Sequence, residues 1–146
     1  MAETKKRRYK RETIAKRLEE IKKRITEINE NNYYMYKITK AVVFGSYINT
    51  NNDYLHDLDI AIELRQRTEV YGHLNSIYVE LSYDRFRKSS SKMNSLYASY
   101  YGKEEVYRAL KNKSTVISLH SLKDDSEAVF NDKYEVIFEE SEEIKC

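Results

Sequence analysis

Apolar residues recur along the first part of the chain with a helical period. Ile14, Leu18, Ile21, Ile25 and Ile28 are spaced four, three, four and three residues apart. That spacing puts them on one stripe of an amphipathic helix. Glu12 with Lys16, Glu19 with Lys23, and Glu20 with Arg24 stand four residues apart in the favoured order and support it. The pattern predicts a helix from about Glu12 to the Asn31-Asn32 pair. The stripe spans fewer than three heptads, so it is expected to pack on its own domain rather than form a coiled coil. The period then changes. Ala41-Val42-Val43-Phe44 is a short apolar run closed by Gly45-Ser46 and reads as a buried strand. Asn49 to Asp53 is a polar loop. From Asp57 to Leu64 the residues alternate: Leu58, Ile60, Ile62 and Leu64 face one way, and Asp57, Asp59, Ala61 and Glu63 the other.

The later pattern is weaker. Thr68 is placed to cap a helix carrying Val70, Leu74, Ile77 and Leu81, although Ile77 to Leu81 also reads as a strand. Met93, Leu96, Tyr97 and Tyr100 suggest a helix stopped by Gly102. Glu104 to Asn112 adds another short helix with Val106, Tyr107 and Leu110 inward. Thr115 to Leu119 reads as a strand. Ala128–Phe130 and Tyr134–Phe138 suggest a hairpin around Asn131-Asp132. The expected fold is a small α/β (α+β) domain, with helices on one side of a mixed sheet of three to five strands. Its open face carries Asp57 and Asp59. Three segments are expected: a basic flexible stretch at 1–11, a domain at 12–138 and an acidic tail at 139–146.

Composition sharpens this picture. The chain has 146 residues, 40% hydrophobic and 34% charged, enough apolar material for one core. No apolar run approaches the roughly 20 residues that cross a bilayer, which argues against a membrane protein. The basic N-terminus has no apolar stretch behind it, which argues against a secretory signal. The single cysteine, Cys146, rules out an intrachain disulfide and suits a reducing cytoplasm. Proline is absent and only Gly45, Gly72 and Gly102 are glycines. The net charge of +2 hides an asymmetry. Residues 1–26 hold 11 Lys and Arg against 4 Asp and Glu, whereas residues 121–146 hold 3 Lys against 9 Asp and Glu. The basic front is able to meet nucleic acid phosphates, although such runs are more often a solvated helix start. The tyrosine clusters Tyr33, Tyr34, Tyr36 and Tyr97, Tyr100, Tyr101 are read as packing, His73 as structural and Cys146 as incidental.

The chemistry concentrates in one segment: Phe44-Gly45-Ser46, ten residues, then Asp57-Leu58-Asp59. Gly45 allows a tight turn close to a ligand, and Ser46 offers a hydroxyl and a backbone N–H to a phosphate oxygen. Asp57 and Asp59 lie on one face of a strand with Cα atoms about 6.5–7 Å apart. Paired acids at that spacing favour a cation, and oxygen ligands select Mg²⁺ or Mn²⁺.

The arrangement resembles the nucleotidyltransferase superfamily related to DNA polymerase beta, in particular its small single-domain, antitoxin-like members. The resemblance covers roughly residues 41–64. It implies that Gly45 and Ser46 hold a nucleoside triphosphate and that Asp57 and Asp59 bind the metal and act in catalysis. A hydroxyl acceptor would attack the α-phosphorus and pyrophosphate would leave. The alternatives are a catalytically impaired binding module, antitoxin-like, on the same fold, or a nucleic-acid binder using the basic front. A protein partner or a homodimer would complete so small a site. The match has departures. No arginine follows Ser46, His56 stands before Asp57, and no third carboxylate is evident. Glu63 lies about 13 Å beyond Asp59 at the strand rise. Glu80, if on a strand, and His120 are the candidates for the vacant place.

Overall fold

The computed structural model describes residues 7–140. Expectations for the first six residues and for most of the acidic tail lie outside the described residues. Tyr9–Lys10 (β1) pairs antiparallel with Tyr54–Leu55 (β3), so the described part of the basic front is held in a two-stranded ladder. Helix α1 runs Arg11–Glu30, and its five expected apolar positions are all buried. Of the expected ion pairs, Glu20–Arg24 forms at 3.5 Å, while Glu19 meets Lys22 rather than Lys23. The helix stops at Asn31, where a buried Arg67, 2% exposed, donates to the carbonyls of Ile28, Asn29 and Tyr34. Ile28 and Asn29 belong to the last turn, whose carbonyls lack i+4 partners within the helix; Ile28 also accepts from Asn31 N–H, and Tyr34 lies in the turn beyond.

The central strand β2 is longer than the apolar run suggests, Tyr36–Phe44. It leads through Gly45 into a single helical turn, Ser46–Asn49 (α2), which ends where the expected polar loop from Asn49 begins. Strand β4, Leu58–Gln66, matches the alternating segment. Ile117–Ser121 (β5) and Glu135–Glu139 (β6) complete a sheet of order β5-β4-β2-β6, parallel between β4 and β5 and antiparallel elsewhere.

Between β4 and β5 the chain is helical. The single helix expected from Thr68 is broken at Gly72 into Thr68–Tyr71 (α3) and Asn75–Lys88 (α4). Gly72 has φ +83°, a left-handed conformation that ends α3. Thr68 lies inside α3 with Arg67 at its N-cap, and His73 is in the bend rather than on a helix. Ile77–Leu81 is helical. The helix expected to stop at Gly102 is instead a 3₁₀ segment, Ser95–Tyr100, running directly into α5, Tyr101–Lys111. Gly102 sits in the first turn of α5 because a Cβ there would collide with Met35 and stand 3.0 Å from Ser82 Oγ. The Ala128–Phe130 half of the expected hairpin is a short helix, Ser126–Phe130 (α6). The Tyr134–Phe138 half becomes β6, which pairs with β2 and not with a neighbouring hairpin strand. A strand whose inner neighbour is distant in sequence is invisible to turn signals.

The main core lies between one sheet face and α1, α4 and α5. Ile38, Ala41, Val43, Leu58, Ile60, Ile62 and Ile117 meet Ile14, Ile21, Ile25, Tyr78, Val106 and Leu110. The opposite face carries the acids but is not wholly open. Val129 from α6 and Leu122 cover Val42, Phe44 and Ala61. Residues 139–140 belong to the fold, since Glu140 receives both Arg65 Nε at 3.0 Å and Nη2 at 2.9 Å. Among the described residues no helix is long and apolar enough to cross a membrane.

Candidate active site

Gly45 and Asp59 meet at one end of the sheet. Antiparallel register pairs Phe44 with Asp59, so the last residue of β2 lies beside the second acid of the Asp-x-Asp segment. Gly45 has φ +77° and ψ −155°. A Cβ added there would lie 2.5 Å from Asp59 Oδ2. Glycine is therefore required twice, for the backbone conformation and for the carboxylate that occupies the side-chain position. The Gly45 carbonyl accepts from Ile48 N, Asn49 N and Asn49 Nδ2, and the Ser46 carbonyl accepts from Thr50 N and Oγ1. The turn is a closed hydrogen-bonded unit.

Arg11 locks the loop that follows. Its guanidinium donates to the carbonyls of Tyr47 at 2.8 Å, Thr50 at 2.9 Å and Asn52 at 2.9 Å, and it lies over the Tyr47 ring. The Arg11 N–H also donates to the Asp53 carbonyl. One cation of the basic front thus serves the fold rather than a polyanion. Sequence alone gives no sign of this, because the partners are backbone carbonyls more than 30 residues away.

Asp59 also meets His120. His120 Nε2 lies 3.2 Å from Asp59 Oδ1 and 3.1 Å from Ser118 Oγ, and Nδ1 lies 3.5 Å from Asp125 Oδ2. The imidazole packs edge-on to Phe44, with ring centroids 5.1 Å apart. Parallel pairing of β5 with β4 sets Ser118 beside Asp59 and His120 beside Ala61, on the acidic face. The strand expected to end at Leu119 continues to Ser121 and carries His120 into the site. Ser118 and Asp125 were not anticipated. Asp125 follows β5 in an acidic stretch that reads as solvated surface.

Glu63 and Glu80 lie apart from this cluster. Glu63 points to Thr39, whose Oγ1 lies 2.9 Å away. Glu80 is on helix α4 and lines a depression with Ile77, Leu81, Tyr83, Asp84 and Arg87, so it does not supply a strand-borne carboxylate. Asp57 immediately precedes β4. It lines a depression of about 410 Å³ with Arg7, Tyr9, His56 and Thr115. Tyr36 and Tyr101 are buried as packing residues, while Tyr97 and Tyr100 are more than half exposed. Among the described residues no group of three or more His, Cys, Asp or Glu side chains is arranged to hold a metal ion.

The arrangement offers a glycine turn with a carboxylate beside it, an imidazole bound to that carboxylate, and a second carboxylate at the start of the same strand. No family model, curated protein or solved structure matches the chain.

Proposed function

We propose that this domain transfers a nucleoside monophosphate from a nucleoside triphosphate to a hydroxyl acceptor, with Mg²⁺ or Mn²⁺ as cofactor. The observation that carries the reading is the seating of the Asp59 carboxylate against Gly45, which brings an acid and the glycine turn together. The donor chemistry fits the ion. Mg²⁺ is usually held by one or two carboxylates with the substrate's own phosphates, so Asp57 and Asp59 suffice without a cage of protein ligands.

In this mechanism Gly45 and Ser46 bind triphosphate oxygens through backbone N–H and hydroxyl groups. Asp57 and Asp59 hold the cation, which when bound supplies charge stabilisation to the transferring phosphoryl group and the leaving pyrophosphate. The acceptor oxygen forms a bond to the α-phosphorus as the bond to the bridging oxygen breaks, and pyrophosphate leaves in line. His120, held by Ser118 and Asp125, fixes the orientation of Asp59, as partners of a ligating carboxylate generally do. The acceptor's proton passes to solvent or to a group brought by a partner protein or second copy. A cytoplasmic setting suits the single terminal cysteine.

A second reading has a specific observation behind it. His120 takes up the Asp59 carboxylate where a further carboxylate was expected, which suits a binding module without transfer activity. Incubation of the full chain with α-labelled triphosphates, Mg²⁺ and mixed RNA and protein acceptors separates the two. Transfer of label with release of pyrophosphate, lost in Asp59→Asn, supports the enzyme. Metal-dependent triphosphate binding without transfer supports the module. Neither binding nor transfer refutes both.

A further inference from the structure

We propose that the depression lined by Arg7, Tyr9, His56, Asp57 and Thr115 is a phosphate-binding subsite, with Arg7 as its cation. Charge makes the case first. No Lys or Arg occurs from Ser46 to His56, so the glycine turn faces a polyanionic ligand with no cation of its own segment. Among the described residues, the cations near this end of the sheet include those of residues 7–11 and Lys133, whose backbone is bonded to Asn49. Arg11 is spent on the carbonyls of Tyr47, Thr50 and Asn52. Arg8 lies over the Tyr54 ring. Arg7 is exposed, its guanidinium 5.7 Å from the Tyr9 ring centroid, and among the described residues no carboxylate pairs with it.

Geometry makes the case second. β1 is held on β3, two residues before Asp57, so Arg7 is carried to the start of β4. Leu58 pairs with Ile117 and Phe44 with Asp59, which sets Thr115, Asp57 and the Gly45 turn at the same end of the sheet. His56 Nδ1 lies 3.2 Å from the Arg7 carbonyl, and Tyr9 Oη lies 2.8 Å from Thr115 Oγ1, so the walls are tied together. The volume, about 410 Å³, falls within the range of roughly 300–1,000 Å³ usual for small-molecule sites. A guanidinium fork matches phosphate oxygens two at a time.

Asp57 selects among anions. Its carboxylate opposes a bare anion, but a phosphate that arrives with Mg²⁺ turns it into a ligand. In this, and in the want of a cation at the glycine turn, the subsite rests on the proposed reading. The phosphate is either the tail of the triphosphate or a phosphate on the acceptor.

The test is titration calorimetry of the full chain with inorganic pyrophosphate, with and without Mg²⁺. Arg7→Gln is expected to weaken the Mg²⁺–pyrophosphate complex about tenfold, the usual scale of a lost charged hydrogen bond. Arg7→Lys restores part of it. Lys133→Gln, at another cation near α2, leaves it unchanged. Asp57→Asn strengthens metal-free binding and removes the gain from Mg²⁺. Two further arms separate the sources. A nucleotide source makes Arg7→Gln weaken MgATP, whereas an acceptor source makes it weaken only inorganic phosphate added to protein saturated with a non-hydrolysable MgATP analogue. Unchanged binding in Arg7→Gln in every arm overturns the subsite, as does a loss confined to Lys133→Gln. Loss of pyrophosphate in Arg7→Gln with MgATP binding intact in Asp59→Asn would keep the subsite and reject the nucleotidyl reading. The reverse pattern would reject the subsite alone. Arg7 is on the surface, so the melting temperature of Arg7→Gln should match that of the parent.

Discussion

Replacing Gly45 by alanine tests the contact on which the site is built, and the molecule contains its own control. Gly45 and Gly72 have nearly the same backbone, φ +77° and +83° with ψ −155° and −170°. Alanine at either position carries a strain of about 1–3 kcal/mol, and the two strains should nearly cancel in a comparison. What differs is the surroundings. A Cβ at Gly72 meets nothing within 4 Å, whereas one at Gly45 lies 2.5 Å from Asp59 Oδ2, 3.3 Å from its Cγ and 3.4 Å from its Cβ. Asp59 must rotate away. An off-rotamer side chain costs about 0.5–1.5 kcal/mol, and loss of its bond to His120 costs about 1 kcal/mol more. Gly45→Ala should therefore be less stable than Gly72→Ala by about 2 kcal/mol, measured by urea denaturation of both variants. Only Gly45→Ala should also weaken MgATP binding. Equal losses of stability, or an undisturbed nucleotide affinity in Gly45→Ala, would refute the claim that this carboxylate occupies the glycine's side-chain position.

Other outcomes follow from the same contacts. Arg11→Met removes three guanidinium hydrogen bonds to the 47–52 loop; stability should fall by about 2 kcal/mol, and amide exchange should rise across that loop and not in α5. Arg85 and Glu105 pair at 3.0 Å with side chains only 15% and 10% exposed, and Arg85 lies 4.1 Å from the Tyr33 ring centroid. Arg85→Ala should cost about 3 kcal/mol, because it leaves a largely covered carboxylate without its cation and with only the Tyr33 hydroxyl as donor; the double variant Arg85→Ala/Glu105→Gln should recover part of that loss in a denaturant series. Arg65 holds the Glu140 carboxyl below its ordinary pKa of 4.5 through a paired hydrogen bond. The resulting stability is fully present above that value and is lost as pH falls through the lower, folded value. Melting curves of the parent should therefore drop more steeply below pH 4.5 than those of Arg65→Met, and parallel curves would contradict the assignment.

What the sequence disclosed depended on the range of the interactions. The α1 stripe and the alternation of β4 are local patterns, and both elements form where the periodicity puts them. The turn at Gly45 is legible because a glycine closes an apolar run there, whereas the left-handed backbone of Asn112 and Lys113 carries no such mark. Gly102 misled for the opposite reason. It is required by the approach of Met35, Tyr36 and Ser82 and not by its own backbone, so it reads as a helix stop while sitting inside one. β6 reads locally as half of a hairpin because its partner, β2, is about 95 residues away in the chain. His120 was visible as a candidate, but the bond to Asp59 depends on the parallel register of β5 with β4, which no local pattern encodes. Arg7 and Arg11 were hidden in a basic run whose members look alike until the β1–β3 ladder gives each a different neighbour.

The central claim is that the Gly45–Ser46 turn and the two aspartates hold a triphosphate together with a divalent ion. Paramagnetic broadening by Mn²⁺ tests it residue by residue in the full chain. In the presence of ATP, substoichiometric Mn²⁺ should broaden the amide signals of Gly45, Ser46, Asp57, Leu58 and Asp59 first, and Asp59→Asn should abolish the effect. Broadening confined to the acidic residues of 124–140, or identical with and without ATP, would contradict the account.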